Sequence, residues 1–171
     1  MSAPDHVKIV QGSLAAFAQE EANHMSDKIT ISELERNKAM SHRFNEEVKN
    51  KHNLAAIDEL FSPDFINHSE IPGFAPTREG IREFFAYWVN AFPDLACTIN
   101  DTIAEGNKVV DYFTLEGTHR GEFMGIPATG KRIKYNGMHI FSFEAGKITG
   151  HWNVLDLLTM MMQLGVVPPP G

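Results

Sequence analysis

The chain has 171 residues, 43% hydrophobic and 22% charged, which is enough for one ordinary domain and unlike a disordered composition. Fifteen Lys and Arg against 22 Asp and Glu leave a net charge of −7, which argues against a nucleic-acid or anionic-membrane surface. A lone cysteine, Cys97, excludes an internal disulfide framework and a Cys-based zinc cage, and no apolar run approaches the roughly 18 residues of a transmembrane helix. The first ten residues carry Asp5, His6 and Lys8 without an apolar signal core, so a cytoplasmic protein is expected.

Val7, Val10, Leu14 and Phe17 recur at helical spacing and predict an appended helix within residues 1–30. Ser32 and Glu35 form a capping-box pattern for a second helix running to about Lys49, with Leu34, Met40, Phe44 and Val48 on its buried face. Leu54 to Phe61 read as a short third helix stopped by Ser62-Pro63, and Asp64 to Pro76 as a loop. Thr77 is the expected N-cap of a fourth helix, in which Ile81, Phe84, Phe85, Trp88, Val89 and Phe92 share one face. Beyond Pro93-Asp94 the period changes from helical to alternating. Four strands follow, Leu95–Ala104, Lys108–Arg120, Lys131–Phe143 and Lys147–Leu155, with hairpin signals at Glu105-Gly106-Asn107 and Glu144-Ala145-Gly146. A Met-rich apolar segment, Leu157–Leu164, and a proline tail close the chain. Helices first and an antiparallel meander after predict an α+β fold, with the helices over the concave face of a curved sheet.

Alternation then selects the residues that face the pocket between the two layers. On the third strand Tyr135, His139 and Phe141 share the aromatic face; on the second, Asp111, Phe113 and His119 share a face; on the fourth, His151, Asn153 and Leu155 do. Three histidines and an asparagine in one apolar cavity point to proton handling, because imidazole titrates near neutrality and an amide can hold an oxyanion. No metal is expected, since there is no His-Glu-x-x-His and no short-spaced ligand pair. Gly125 to Lys131 imitates a phosphate-binding loop, but Arg132 replaces the needed hydroxyl residue and the segment leads into a strand.

Several motifs carry a family resemblance. Asp58-Glu59-Leu60-Phe61 with Asp64-Phe65-Ile66-Asn67-His68, Ala91-Phe92-Pro93-Asp94-Leu95, Gly117-Thr118-His119, Phe123-Met124-Gly125-Ile126-Pro127 and Gly146-Lys147-Ile148 before His151-Trp152 resemble the SnoaL-like polyketide cyclases. These belong to the nuclear transport factor 2-like superfamily, which also holds ketosteroid isomerase. The resemblance runs from about Leu34 to Val167 and implies a helical extension over 1–30 before a SnoaL-like domain over 31–171. It implies a cone-shaped α+β barrel, a homodimer, a hydrophobic small-molecule ligand and no cofactor. Family cyclases close a ring by aldol condensation, with a carboxylate on the last strand taking the proton. Here that position is Asn153, while the assisting histidine of the preceding strand is matched by His139.

The expected roles are therefore His139 as general base, His119 and His151 as shuttle or orienting groups, and Asn153 as donor to the oxyanion. Asn67 and His68 would line the mouth, and Phe84, Trp88, Tyr135 and Phe141 the ligand wall. The alternative is a non-catalytic module that binds a small molecule or only dimerises, because a carboxamide cannot take a proton at neutral pH.

Overall fold

The computed structural model describes residues 30–168, and the appended helix expected over 1–30 lies outside them. Helix α1 spans Ile31–Phe44 and continues as a six-residue π-helical run, Asn45–Asn50, where the sequence predicted unbroken α-helix. Such a run widens the turn and is often found at functional sites. Here it buries Asn45, Val48 and Lys49 together.

Helix α2 is Ala56–Leu60, and strand β1, Phe61–Asn67, follows it directly. This corrects the expectation of a helix stop and loop at Ser62-Pro63. β1 lies at the edge of the sheet and pairs with its neighbour only at Phe61, Ile66 and Asn67, so Pro63 falls where no ladder hydrogen bond is needed. Helix α3, Arg78–Ala91, starts as expected: the Thr77 side chain accepts from Gly80 N at 3.2 Å. It buries Ile81, Phe85, Trp88 and Ala91 along one face.

Strands β2 (Ala96–Glu105), β3 (Lys108–Thr118), β4 (Arg132–Glu144) and β5 (Lys147–Leu155) form the expected antiparallel meander. The order is β1-β5-β4-β3-β2, and β1 joins β5 in parallel, so the sheet is mixed rather than purely antiparallel. Ala145 and Gly146, both at positive φ, make the two-residue turn between β4 and β5. The Met-rich segment forms helix α4, Leu157–Leu164, capped by the Asp156 side chain on Thr159 N and ended by Gly165 in the left-handed region.

The core lies between the helices and one face of the sheet. Phe44, at the end of α1, packs its ring 5.5 Å from Phe61, 5.5 Å from Phe85 and 5.1 Å from Phe141. Gly137 leaves room for Phe113 and Leu155 against the sheet, since a Cβ there would come within 2.8 Å of the Phe113 ring and 2.6 Å of Leu155. The register sets Asp111, His139 and Asn153 in one row across β3, β4 and β5. That row is where the chemistry begins.

Candidate functional site

Asp111 occupies an inward position on β3 between Val109 and Phe113, and it is fully buried. Four donors surround its carboxylate. Oδ2 accepts from Ser41 Oγ at 2.5 Å, Asn45 Nδ2 at 3.2 Å and His139 Nε2 at 3.0 Å, and Oδ1 accepts from Thr102 Oγ1 at 2.6 Å. Burial alone would raise its pKa, but the bonds from His139, Ser41 and Thr102 hold it down to about 2. An ionised carboxylate only accepts, so His139 carries its proton on Nε2 and presents a lone pair at Nδ1. Lys49 Nζ lies 3.4 Å from that Nδ1. Both nitrogens of His139 are thus engaged, and the residue expected to be the free base is the centre of a carboxylate–imidazole–amine chain.

His151 is arranged differently. Its Nδ1 lies 3.1 Å from Asn67 Oδ1. Asn67 Nδ2 donates to Ser69 O at 2.7 Å and its Oδ1 accepts from Ser69 N at 3.4 Å, which fixes the amide orientation. His151 must therefore donate from Nδ1, and the one side-chain hydrogen bond of its ring among the described residues is at that atom, which leaves the lone pair on Nε2. Burial, reinforced by the nearby His139, Lys49 and His68, pushes its pKa well below 6.5. Burial and Lys49 push that of His139 down to about 4 against the opposing pull of Asp111.

The two rings, with centroids 5.7 Å apart, line a recess of 20 Å³ together with Lys49, Phe113, Trp88 and Asn153. That volume accepts about one water molecule. Ile71, Phe84, Asn153 and Leu155 belong also to an outer cavity of 560 Å³, whose wall includes Phe74, Tyr87, Phe123 and Leu157. The outer volume suits a drug-sized apolar ligand. Asn153 stands at the junction, its backbone held by Ser69 Oγ at 2.7 Å and its carboxamide bonded to no described residue. The buried indole N–H of Trp88 likewise finds no acceptor among the described residues. An orphaned donor costs about 1–3 kcal/mol unless something in the recess accepts from it.

The structure therefore brings His139, His151, Asn153, Phe84 and Trp88 together and leaves other expected residues elsewhere. His119 is buried against Phe92, with ring centroids 5.1 Å apart and its Nδ1 near Thr129, and it lines neither cavity. The gap arises because His119 lies past the end of β3, where alternation no longer fixes direction. His68 is exposed and stacks on Trp152 at 4.1 Å. Tyr135 and Phe141 are core side chains off the cavity lining, and Asn67 acts as the prop of His151 while also lining a 390 Å³ hollow that shares Glu70, Ile71, Pro72 and Phe74 with the outer cavity. Among the described residues, no group of three or more His, Cys, Asp or Glu is placed to hold a metal ion.

Comparison with known proteins gives this geometry its context. The family model for the SnoaL-like polyketide cyclase matches residues 39–164. This chain belongs to the SnoaL-like polyketide cyclase family. It is 30% identical over 111 residues to the nogalonic acid methyl ester cyclase of Streptomyces nogalater, covering 64% of this chain and 83% of that one. Among solved structures it is similar to TsrD of Streptomyces laurentii, with a TM-score of 0.72, 27% identity, and 82% and 100% of the two chains covered. IdmH of Streptomyces antibioticus aligns with a TM-score of 0.66 and 29% identity over 75% and 98% of the chains. These neighbours share the α+β cone, here with an open sheet. Family membership supports a cofactor-independent cyclase- or isomerase-type role. No helix among the described residues is long and apolar enough to cross a membrane.

The buried imidazoles couple stability to pH. In the fold both are held neutral, whereas in the unfolded chain they protonate near 6.5, so protons favour the unfolded state below that pH. Stability should fall as pH drops from 6.5 to about 4, with His139 alone contributing on the order of 3 kcal/mol. Calorimetry across that window should show a steadily falling Tm, and a flat profile would refute neutral buried imidazoles.

Proposed function

We propose that the protein is a cofactor-independent enzyme that abstracts a proton from a carbon next to a carbonyl of an apolar small molecule, with His151 as its base. The bare Nε2 lone pair of His151, inside an apolar recess beside the free carboxamide of Asn153, carries this reading. Asn67 holds the ring in the tautomer that leaves Nε2 free, and Asn153 donates to the enolate oxygen as charge develops there. His139 and Asp111 keep the floor of the recess polar and its hydrogen bonds directed. His119 serves as an outlying buried histidine and takes no part in the transfer.

The ligand of this reading sits in the outer cavity and directs its carbonyl edge past Asn153 towards the recess. The test is isotope exchange: the protein is expected to catalyse loss of deuterium from the position next to a carbonyl. Nogalonic acid methyl ester, the compound named in the relative's activity, is the first probe, followed by simpler apolar β-keto esters. Tight binding of these probes with no exchange would instead establish the non-catalytic binding module.

We also propose a cytoplasmic homodimer joined through the outer face of the sheet. What supports the dimer is a self-complementary apolar surface: Tyr112, Met138 and Val154 lie side by side in register across β3, β4 and β5, exposed by 39, 49 and 76%. The adjoining row is Ile103, Val110, Ile140 and Trp152. Sedimentation should give a dimer that Met138→Lys converts to a monomer, and a monomeric wild type at tens of micromolar would refute the proposal.

A further inference from the structure

Lys49 is a buried amine without a carboxylate partner. It is 3% exposed and comes from the π-helical run, and its Nζ lies 3.8 Å from the centre of the Phe113 ring, 3.4 Å from His139 Nδ1 and 3.9 Å from Cys97 Sγ. Among the described residues it makes no ion pair, and Asp111 reaches it only through the imidazole of His139. Lysine is almost never buried unless paired, and here its hydrogen-bond partners are the uncharged His139 Nδ1 and Cys97 Sγ. Lys49 is one of the residues lining the recess, which shares Ile71, Phe84, Asn153 and Leu155 with the ligand-sized cavity.

We propose that Lys49 is a covalent catalytic residue whose ε-amine condenses with the carbonyl of a narrow-headed, apolar ligand to form an imine. The proposal rests on the carbonyl-ligand reading above and adds a covalent step to it. Burial lowers the amine's pKa from 10.5, which raises the fraction present as free nucleophile at neutral pH. Nζ attacks the carbonyl carbon, and the C–N bond forms as the C=O π bond opens. His139 Nδ1 accepts a proton from the nitrogen and returns it to the oxygen, while Asp111 balances the transient imidazolium. The C–O bond then breaks, and both amine hydrogens leave with the oxygen as one water, so amine plus carbonyl gives imine plus water. The released water has the outer cavity of 560 Å³, which shares Asn153 and Leu155 with the recess, to leave into. Hydrolysis by the same route releases the ligand. While the imine lasts it withdraws electrons, when protonated, more strongly than the carbonyl, and the neighbouring C–H becomes easier to remove.

The experiment is trapping with octanal and cyanoborohydride at neutral pH, followed by peptide mapping. Octanal combines a small aldehyde head with an apolar tail suited to the outer cavity. Lys51 is the internal reference, because its exposed amine is held protonated by Glu47 and Glu46. Lys49 is expected to take an octyl group faster than Lys51, since burial lowers the pKa of the first amine and the glutamates raise that of the second. Lys49→Met should lose that label and keep the label at Lys51. A wild-type protein alkylated at Lys51 and untouched at Lys49 overturns the proposal. Isotope exchange, scored in parallel, separates the two readings: exchange without trapping removes the amine's role and leaves the histidine base standing, and trapping without exchange does the reverse.

Discussion

Replacing His151 with glutamine is expected to slow isotope exchange by roughly 10²–10⁴-fold, the usual contribution of a positioned general base. Glutamine can still donate to Asn67 Oδ1 and nearly fills the imidazole's space, so the melting temperature should move by only a few degrees. It has no group that takes a proton. The wild-type pH profile carries a second signature of the same residue. A base must be unprotonated to act, and burial holds His151 well below its ordinary value, so activity should stay level as pH falls through 6.5 and decline only below it. NMR exchange rates on the two proteins, with Tm as the control for folding, decide the matter. An unchanged rate in the variant would exclude His151 as the base.

Asp111→Ala should be the most destabilising single change at the site. Ser41, Asn45, Thr102 and His139 all direct donors at its carboxylate, and alanine leaves the fully buried Ser41 and His139 without that acceptor, while Asn45 keeps Ser41 O and the half-buried Thr102 keeps His42. Breaking a buried charged network by removing one partner costs about 3–5 kcal/mol. In a domain of this size that corresponds to a fall in Tm of about 10 °C or more. Asp111→Asn keeps the shape and one acceptor oxygen but turns an N–H towards existing donors, so it should lie between alanine and wild type. Denaturant unfolding of the three proteins checks the order. Asp111→Ala as stable as wild type would mean that the carboxylate does not organise the floor of the recess.

The two experiments report on different layers of one device. His151 owes its free lone pair to a loop–strand contact, because Asn67 and Ser69 come from β1 and the segment after it and fix a ring on β5. Asp111 owes its ionised state to bonds from His139 on β4, Ser41 on α1 and Thr102 on β2. The widened helical turn delivers Lys49 to the opposite side of His139. An apolar pocket thereby contains a carboxylate held charged, two imidazoles held neutral and an amine pushed towards neutrality. Each state follows from burial weighed against the hydrogen bonds available.

Much of this was legible in the residues. Period-two alternation on β4 and β5 selected His139 and Asn153 as inward neighbours, and they are register partners. Thr77, the hairpin at Gly106 and the turn at Ala145-Gly146 were readable because each is a local solution to a local steric or hydrogen-bonding problem. Lys49, Ser41 and Asn45 were missed because polar residues at the polar end of an amphipathic helix look like its solvent face. Asp111 did carry a signal, as a charge at an inward position between Val109 and Phe113. β1 was hidden by Pro63, which reads as a helix stop unless an edge position is known.

The sequence by itself determined three of the helices, the four-stranded meander, the family and the inward faces of β3, β4 and β5, since these depend on spacing along the chain. Only the tertiary structure decided which imidazole keeps a free lone pair, which carboxylate stays charged and which amine is dry. Those properties depend on partners up to 90 residues away, and no local pattern encodes which donors and acceptors will meet once the helices close over the sheet.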